Sequence, residues 1–271
     1  MLKDRLQPLA DRTRALAPLQ LHSFCRNGYL IVDALFDRPA LVELRRQYEI
    51  VCQQTQASGK FNNFADKSAA GSEAHVVMTV NQVCERNIFF HQLLYDARIL
   101  DIVEDLMGSN IQLFHDFLLR KPARCGGAVF WHQDNQAWQS MPPNNITCWI
   151  ALDDADAQNG ALHYIPGSHR QTLGLEIDAE GRLQDIDALV AQSEVDIAEV
   201  KAGGAVFHHC LTLHHSAPNK TERIRRAHSI IFMQVGTRCG RKPPFNSRPT
   251  GEGDHFGTSF GHPVLRTASL Q

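Results

Sequence analysis

From residue 111 onward the chain repeats one texture: short runs rich in β-branched and aromatic residues, separated by turn-forming residues. "IQLFHDFLLRK", "AVFWHQD", "ITCWIALDD", "ALHYIP", "GAVFHHCLTLHHS" and "AHSIIFMQV" follow one another. Strands of this length with turns between them predict an antiparallel barrel or double sheet. No internal repeat at solenoid spacing and no low-complexity tract competes with that architecture.

The preceding part reads differently. "ALVELRRQYEIVCQQ" (Ala40 to Gln54) sets Leu41, Leu44, Tyr48 and Val51 at steps of three and four, which predicts an amphipathic helix. Before it, "NGYLIVDALFD" (Asn27 to Asp37) reads as a turn and a short strand. Gln56 to Ala74 is Gly-, Ser- and Asn-rich without periodicity and predicts a loop, and Phe89 to Gly108 predicts a second helix ending on a glycine cap. Gly174 to Val200 reads as an acidic insertion between strands. The expected organisation is one domain: a helix-rich 1–110, a β core of about 111–240 and a Pro/Gly-rich tail at 241–271.

Composition narrows the partners. Lys and Arg number 27 against 29 Asp and Glu, a net charge of -2, which offers no general attraction for phosphate backbones, so nucleic acid is not an expected partner. No apolar run suits a signal peptide or a bilayer crossing, and the expectation is a soluble, cytoplasmic protein. The 7 cysteines are scattered without a CxxC pair, which predicts reduced thiols instead of a disulfide frame or zinc site. Histidine is abundant at 14, and its distribution carries the functional argument.

"FWHQDNQAW" (Phe130 to Trp138) places His132 and Asp134 two residues apart. On a strand they point the same way, which by itself equally suits a half-exposed polar pair. A metal site needs a third ligand. "GAVFHHCLTLHHSAPNKTERIRRAHSIIF" offers His208, His209, His214 and His215, followed by Arg223, Arg225 and Arg226. Two histidines and one carboxylate on a β-scaffold can cap one face of an octahedral metal and leave the other open, an arrangement suited to non-haem Fe(II) oxygen chemistry. A dicarboxylate co-substrate chelating through one end would need a cation at the other, and arginine grips a carboxylate bidentately.

These pieces resemble the phytanoyl-CoA dioxygenase family of Fe(II)/2-oxoglutarate oxygenases. "NGYLIVDALF", "HDFLLRKPA", "WHQD", "NGALHYIPGSH" (Asn159 to His169) and "HHSAPNKTERIRRA" match its motifs in order, from about residue 24 to 235. The resemblance implies a mainly β protein with flanking helices, its core a double-stranded β-helix (jelly-roll, cupin-like) behind an N-terminal helical region. It makes His132, Asp134 and His214 the iron ligands, His214 because it lies the family's usual eleven residues before Arg225. Strand alternation does not choose among the histidines: His208 and His214 share one face, His209 and His215 the other. His209 matches a position that supports packing, and His215 is the alternative third ligand.

The resemblance further implies that Arg225 holds the far carboxylate of 2-oxoglutarate. Thr147 and Ser216 match positions that add hydroxyl hydrogen bonds to it, against the plainer reading of ordinary strand residues. His115 matches a position near the co-substrate's iron-binding end, with a structural histidine as the alternative. Trp138 matches an aromatic at the pocket rim, or packs in the core, and Asn81 either faces substrate or is an exposed loop residue. Arg223 and Arg226 read as surface or entrance charges. One departure is recorded: Gly203 and Gly204 stand where the family commonly has Gly-Asp, which alters a turn.

The implied cofactors are Fe(II), 2-oxoglutarate and O2, and the implied activity is hydroxylation, or related oxidation, of an unactivated C–H bond in a small organic molecule, with release of succinate and CO2. Halogenating members lack the carboxylate at Asp134, so its presence favours oxygenation. Two other readings stay open: a non-catalytic metal-binding β-barrel, and an oxygenase acting on a macromolecular side group. Monomer and homodimer are equally compatible.

Overall fold

The computed structural model describes residues 14–58, 61–65, 76–171, 183–241 and 262–268. The N-terminal part runs through α1 (Pro18–Asn27), β1 (Tyr29–Val32), α2 (Arg38–Ala57), β2 (Asn62–Asn63), β3 (Met78–Asn81), α3 (Ile88–Leu93) and α4 (Ala97–Met107). β4 (Ile111–Lys121), β5 (Val129–His132), α5 (Asp134–Trp138), β6 (Ser140–Met141), β7 (Ile146–Ala151) and β8 (Leu162–Tyr164) follow. The chain continues with α6 (Ile186–Ala191), β9 (Asp196–Ala198), β10 (Ala205–His209), β11 (His214–Ser216), β12 (Arg225–Gln234), β13 (Arg238–Cys239) and β14 (Val264–Arg266).

The strands form a major sheet of eight, ordered β1-β10-β7-β12-β4-β3-β2 with β14 added on β4, and a minor sheet of four, ordered β5-β11-β8-β9. Every pairing in these sheets is antiparallel, and most neighbours, such as β1 with β10, β4 with β12 and β5 with β11, are distant in sequence, so the architecture is the expected mainly β double sheet of jelly-roll type. Between the sheets, Trp149, Val206 and Ala227 of the major sheet pack with Leu162, Tyr164 and Ala198 of the minor one.

The other face of the major sheet lies under the helices. In α2 the four residues expected on one face, Leu41, Leu44, Tyr48 and Val51, are all buried, each worth roughly 1.5–3 kcal/mol relative to exposure. Three of them join Phe90, Ile99 and Val103 of α3 and α4 over Cys148, Ile150, Ile230 and Phe232. Asp37 caps α2 by accepting from the Ala40 amide at 3.0 Å.

The sequence expectation of one helix over Phe89 to Gly108 is corrected. Asp96 adopts an extended backbone and its carboxylate accepts from the Arg98 amide, so a new N-terminus starts there and the segment divides into α3 and α4. Gly108 does cap α4, its amide bonding to Glu104. Within the expected loop Gln56 to Ala74, α2 runs on to Ala57 and Asn62–Asn63 pairs with β3, while 59–60 and 66–74 lie outside the described residues. The expected tail contributes β14. At the departing turn, Gly203 sits at φ +91 and a Cβ there would meet the Phe36 carbonyl at 2.5 Å, so glycine is required.

β4 is pinned from its helix-facing side. Asp116 is fully buried, accepts from the Cys84 amide at 2.9 Å and faces His228 Nε2 at 3.4 Å. Burial opposes its charge, but His228 and His115 outweigh that and hold the carboxyl below its ordinary value. Asp116→Ala is expected to lose about 3 kcal/mol of stability in urea denaturation, because it strips partners from groups already buried. A loss below about 1 kcal/mol would show the pair to be dispensable.

Candidate functional site

β5 and β11 pair with His132 opposite His214, which sends both imidazoles to the same side, with ring centroids 4.3 Å apart. Asp134 opens α5 two residues later, and the turn brings its carboxylate back to them. Oδ1 lies 3.6 Å from His132 Nε2 and 3.8 Å from His214 Nε2. One ligand atom from each of the three residues lies within 4.8 Å of the others, a spacing that could hold a metal ion.

Both rings present Nε2 because Nδ1 is engaged. His132 Nδ1 bonds to the Phe130 carbonyl and His214 Nδ1 to the Thr212 carbonyl, each at 2.8 Å. A carbonyl only accepts, so Nδ1 carries the proton and the Nε2 lone pair faces the carboxylate. Burial, reinforced by His132, pushes His214 well below the ordinary histidine value, which leaves it neutral and able to ligate near neutral pH. Burial resists charge on Asp134, yet the hydrogen bond from His208 Nε2 favours the carboxylate, and its carboxyl lies well below the usual range.

Arg225 opens β12 and is 1% exposed, its guanidinium 5.2 Å from the centre of the Trp149 ring. Its Nε and Nη1 have no hydrogen-bond partner among the described residues. Burial without a paired carboxylate pushes its pKa down to about 10. Its register partner Lys121 is also fully buried, and donates to the carbonyls of Ser216 (3.1 Å) and Ala217. Burial and the neighbouring Arg225 push the Lys121 amine well below its ordinary value. Ser216 lies two residues beyond His214 on the same buried face of β11. Two buried cations without an ion pair among the described residues leave a cradle suited to a carboxylate.

The family model for phytanoyl-CoA dioxygenase matches residues 24–227. The chain belongs to the phytanoyl-CoA dioxygenase family. A probable phytanoyl-CoA dioxygenase of Caenorhabditis elegans is 27% identical over 83% of this chain and 78% of that protein. The ectoine dioxygenase of Stutzerimonas stutzeri is 24% identical over 89% of this chain and 87% of its own length. Among solved structures, the non-haem α-ketoglutarate-dependent carbocyclase SnoK from nogalamycin biosynthesis superposes with TM-score 0.80 at 19% identity, covering 94% of this chain and 99% of that one. EctD from S. alaskensis with 2-oxoglutarate and 5-hydroxyectoine gives TM-score 0.72 at 20% identity, covering 97% and 93%. These likenesses show the shared jelly-roll oxygenase fold, and family membership makes the chain an Fe(II)/2-oxoglutarate-dependent dioxygenase by class.

In this phytanoyl-CoA dioxygenase family member, the remaining candidate residues fall into distinct places. Thr147, expected beside the co-substrate carboxylate, donates to Asp134 Oδ2 at 3.2 Å. His115 is buried on β4 and stacks on Phe117, with ring centroids 5.5 Å apart. Asn81 is no loop residue: it ends β3 as the register partner of Phe117. Trp138 is buried against Phe114 in a cluster with Cys210, Ile231 and Met233, which is a packing position. His215 turns to the opposite face, 4.2 Å from the Trp131 ring and 4.5 Å from His163, so alternation separates it from the triad. His209 packs near His169. Arg223 pairs with Asp156, and Arg226 with Asp153 and Glu49.

Two contributions escaped the sequence reading. "IPGSH" enters the sequence reading only as a family motif, but Ser168 Oγ accepts from the Leu213 amide at 2.8 Å, anchoring the residue before His214. Gly160, at φ +99, stands where a Cβ would lie 2.7 Å from the Ala217 carbonyl and 2.8 Å from Lys121 Cδ, so the Asn-Gly turn admits the lysine. The sequence showed both motifs but neither partner.

Burial pushes His209 down to about 4, helped by His169 and His208, and His215 down to about 3, helped by His163, Lys121 and His132. Unfolding returns both toward about 6.5, so below that pH the unfolded chain binds more protons. Their contribution is fully present above about 6.5 and is lost as pH falls through the folded values. Thermal denaturation of the metal-free protein is expected to show Tm falling as pH drops below about 6.5, less steeply in His209→Gln. An unchanged slope in that variant would contradict the assignment.

Proposed function

We propose that the chain oxidises an unactivated C–H bond of a small organic molecule, using Fe(II), 2-oxoglutarate and O2 and releasing succinate and CO2. The observation that carries the reading is a buried arginine whose Nε and Nη1 find no hydrogen-bond partner among the described residues, in a fold that also gathers two histidines and one carboxylate at metal-binding spacing. A structural metal site would have no use for that uncompensated guanidinium, whose burial costs stability unless a ligand neutralises it.

His132 Nε2, Asp134 Oδ1 and His214 Nε2 would hold the metal from one side. When bound, Fe(II) supplies oxygen activation coupled to decarboxylation of the 2-oxo acid. Arg225 would take the remote carboxylate, with the charge of Lys121 and the hydroxyl of Ser216 close to the same place. The packed walls around Trp149 and Tyr164 keep water from these groups, which strengthens the ion pair. Asp134 favours transfer of oxygen over halide, because it fills the position a halide would need. Asn81 and Phe117, paired on the major sheet, offer a polar and an aromatic contact for substrate.

A small-molecule substrate is supported by relatives named for ectoine and for nogalamycin biosynthesis. The near-balanced net charge of -2 gives no support to a nucleic-acid substrate.

Anaerobic addition of Fe(II) and 2-oxoglutarate is expected to produce a weak visible charge-transfer band. Arg225→Ala should weaken 2-oxoglutarate binding about a hundredfold and Arg225→Lys about tenfold, since lysine keeps the charge but loses the fork. Absence of the band in the native protein, or unchanged affinity in Arg225→Ala, would refute the proposal.

A further inference from the structure

The two oxygens of Asp134 stand in different surroundings. Oδ1 faces the Nε2 atoms of His132 and His214. Oδ2 is occupied from the other side, by His208 Nε2 at 3.1 Å and Thr147 Oγ1 at 3.2 Å. A carboxylate accepts only, so His208 Nε2 bears hydrogen and donates. Its other ring nitrogen, Nδ1, is hydrogen-bonded to the Tyr164 hydroxyl at 2.9 Å. Tyr164 is fully buried, stacked on Tyr29 with centroids 4.3 Å apart, and Tyr29 in turn donates to Asp196. His208 itself is 2% exposed and is the register partner of both Thr147 on β7 and Tyr29 on β1, so its direction is set by the sheet.

We propose that His208 is a positioning residue for the metal site: its hydrogen bond to Oδ2, oriented by Tyr164, confines Asp134 to ligation through Oδ1 alone. This rests on the Fe(II) reading above and adds to it a reason for the site's open positions. A metal ion held by these three protein atoms would need its other positions free for the 2-oxo acid and oxygen. A carboxylate swinging to bidentate ligation would take one of those. With Oδ2 held by two donors, rotation toward the metal costs both hydrogen bonds.

The test uses Co(II) alone as the probe, titrated calorimetrically and by visible absorption into the native protein, His208→Phe, His208→Gln and Tyr164→Phe. Thermal denaturation of each metal-free form controls for folding. His208→Phe is expected to weaken Co(II) binding about 10–100-fold and to alter the d–d spectrum. His208→Gln, which returns an N–H donor near the Nε2 position, should recover most of the affinity and the native spectrum. Tyr164→Phe keeps the stack on Tyr29 but loses the orienting hydroxyl, and should weaken binding roughly threefold to tenfold.

Native affinity and spectrum in His208→Phe would overturn the inference, as would a loss in His208→Gln equal to that in His208→Phe. If His208→Phe does not fold, native behaviour in Tyr164→Phe overturns it. Native protein that binds Co(II) alongside indifferent variants removes this inference alone, whereas native protein that binds no Co(II) removes the metal reading and this inference with it.

Discussion

His132 and His214 meet because β5 and β11 run antiparallel with these residues opposite each other. A slip of one residue would deliver His215 to the inner face and turn His214 out, since side-chain direction alternates along a strand. The pairing is short, and its register shifts between His214 and Ser216, so backbone bonds within the minor sheet are few. Ties from outside the β5–β11 pair hold it: Ser168 Oγ on the Leu213 amide, and Lys121 Nζ on the Ser216 and Ala217 carbonyls. Those ties account for a lysine that has no acidic partner among the described residues and for a Pro-Gly-Ser-His turn far along the chain from any ligand.

The same interior carries charges that a purely structural barrel would avoid. Arg225, Lys121 and Asp134 are withdrawn from water, and among the described residues it is Asp134 that has hydrogen-bonding groups of matching character close by. Desolvation of the two cations opposes folding, and the apolar layer of α2, α3 and α4 on the far face of the major sheet offsets it. Local cost at a site compensated by packing elsewhere is what a binding function asks of a fold. The major sheet serves both sides at once: Arg225 and Ala227 of β12 face the layer shared with the minor sheet, while Ile230 and Phe232 face the helices.

Much of this was readable before any coordinates. The α2 face is legible because a helix of this length repeats its burial pattern over several turns. The β core announces itself by run length and turn residues. His132, Asp134, His214 and Arg225 stand out because spacing and residue type coincide with a known motif order. Illegible were the features that depend on a distant partner or on one local competition. Asp96 divides an apparently continuous helical pattern because its carboxylate caps a new start, a choice that periodicity does not register. Residues 264–266 pair with β4 through backbone groups alone, leaving no side-chain signature in a Pro/Gly-rich segment. Thr147 and His208 are candidates by residue type, but their shared contact with Asp134 Oδ2 arises only where β7 and β10 lie side by side.

The chain alone determined the period of each element, the ligand types and the cation able to grip a keto acid, because these are properties of local order and side-chain chemistry. Only the tertiary structure decided which of four neighbouring histidines faces Asp134 through Nε2, which braces its second oxygen, and which turns away. Alternation along a strand names two equivalent faces, and nothing in a single strand says which will be enclosed. That is settled when the second sheet closes over one of them, drawing distant residues into contact and excluding water from the groups between.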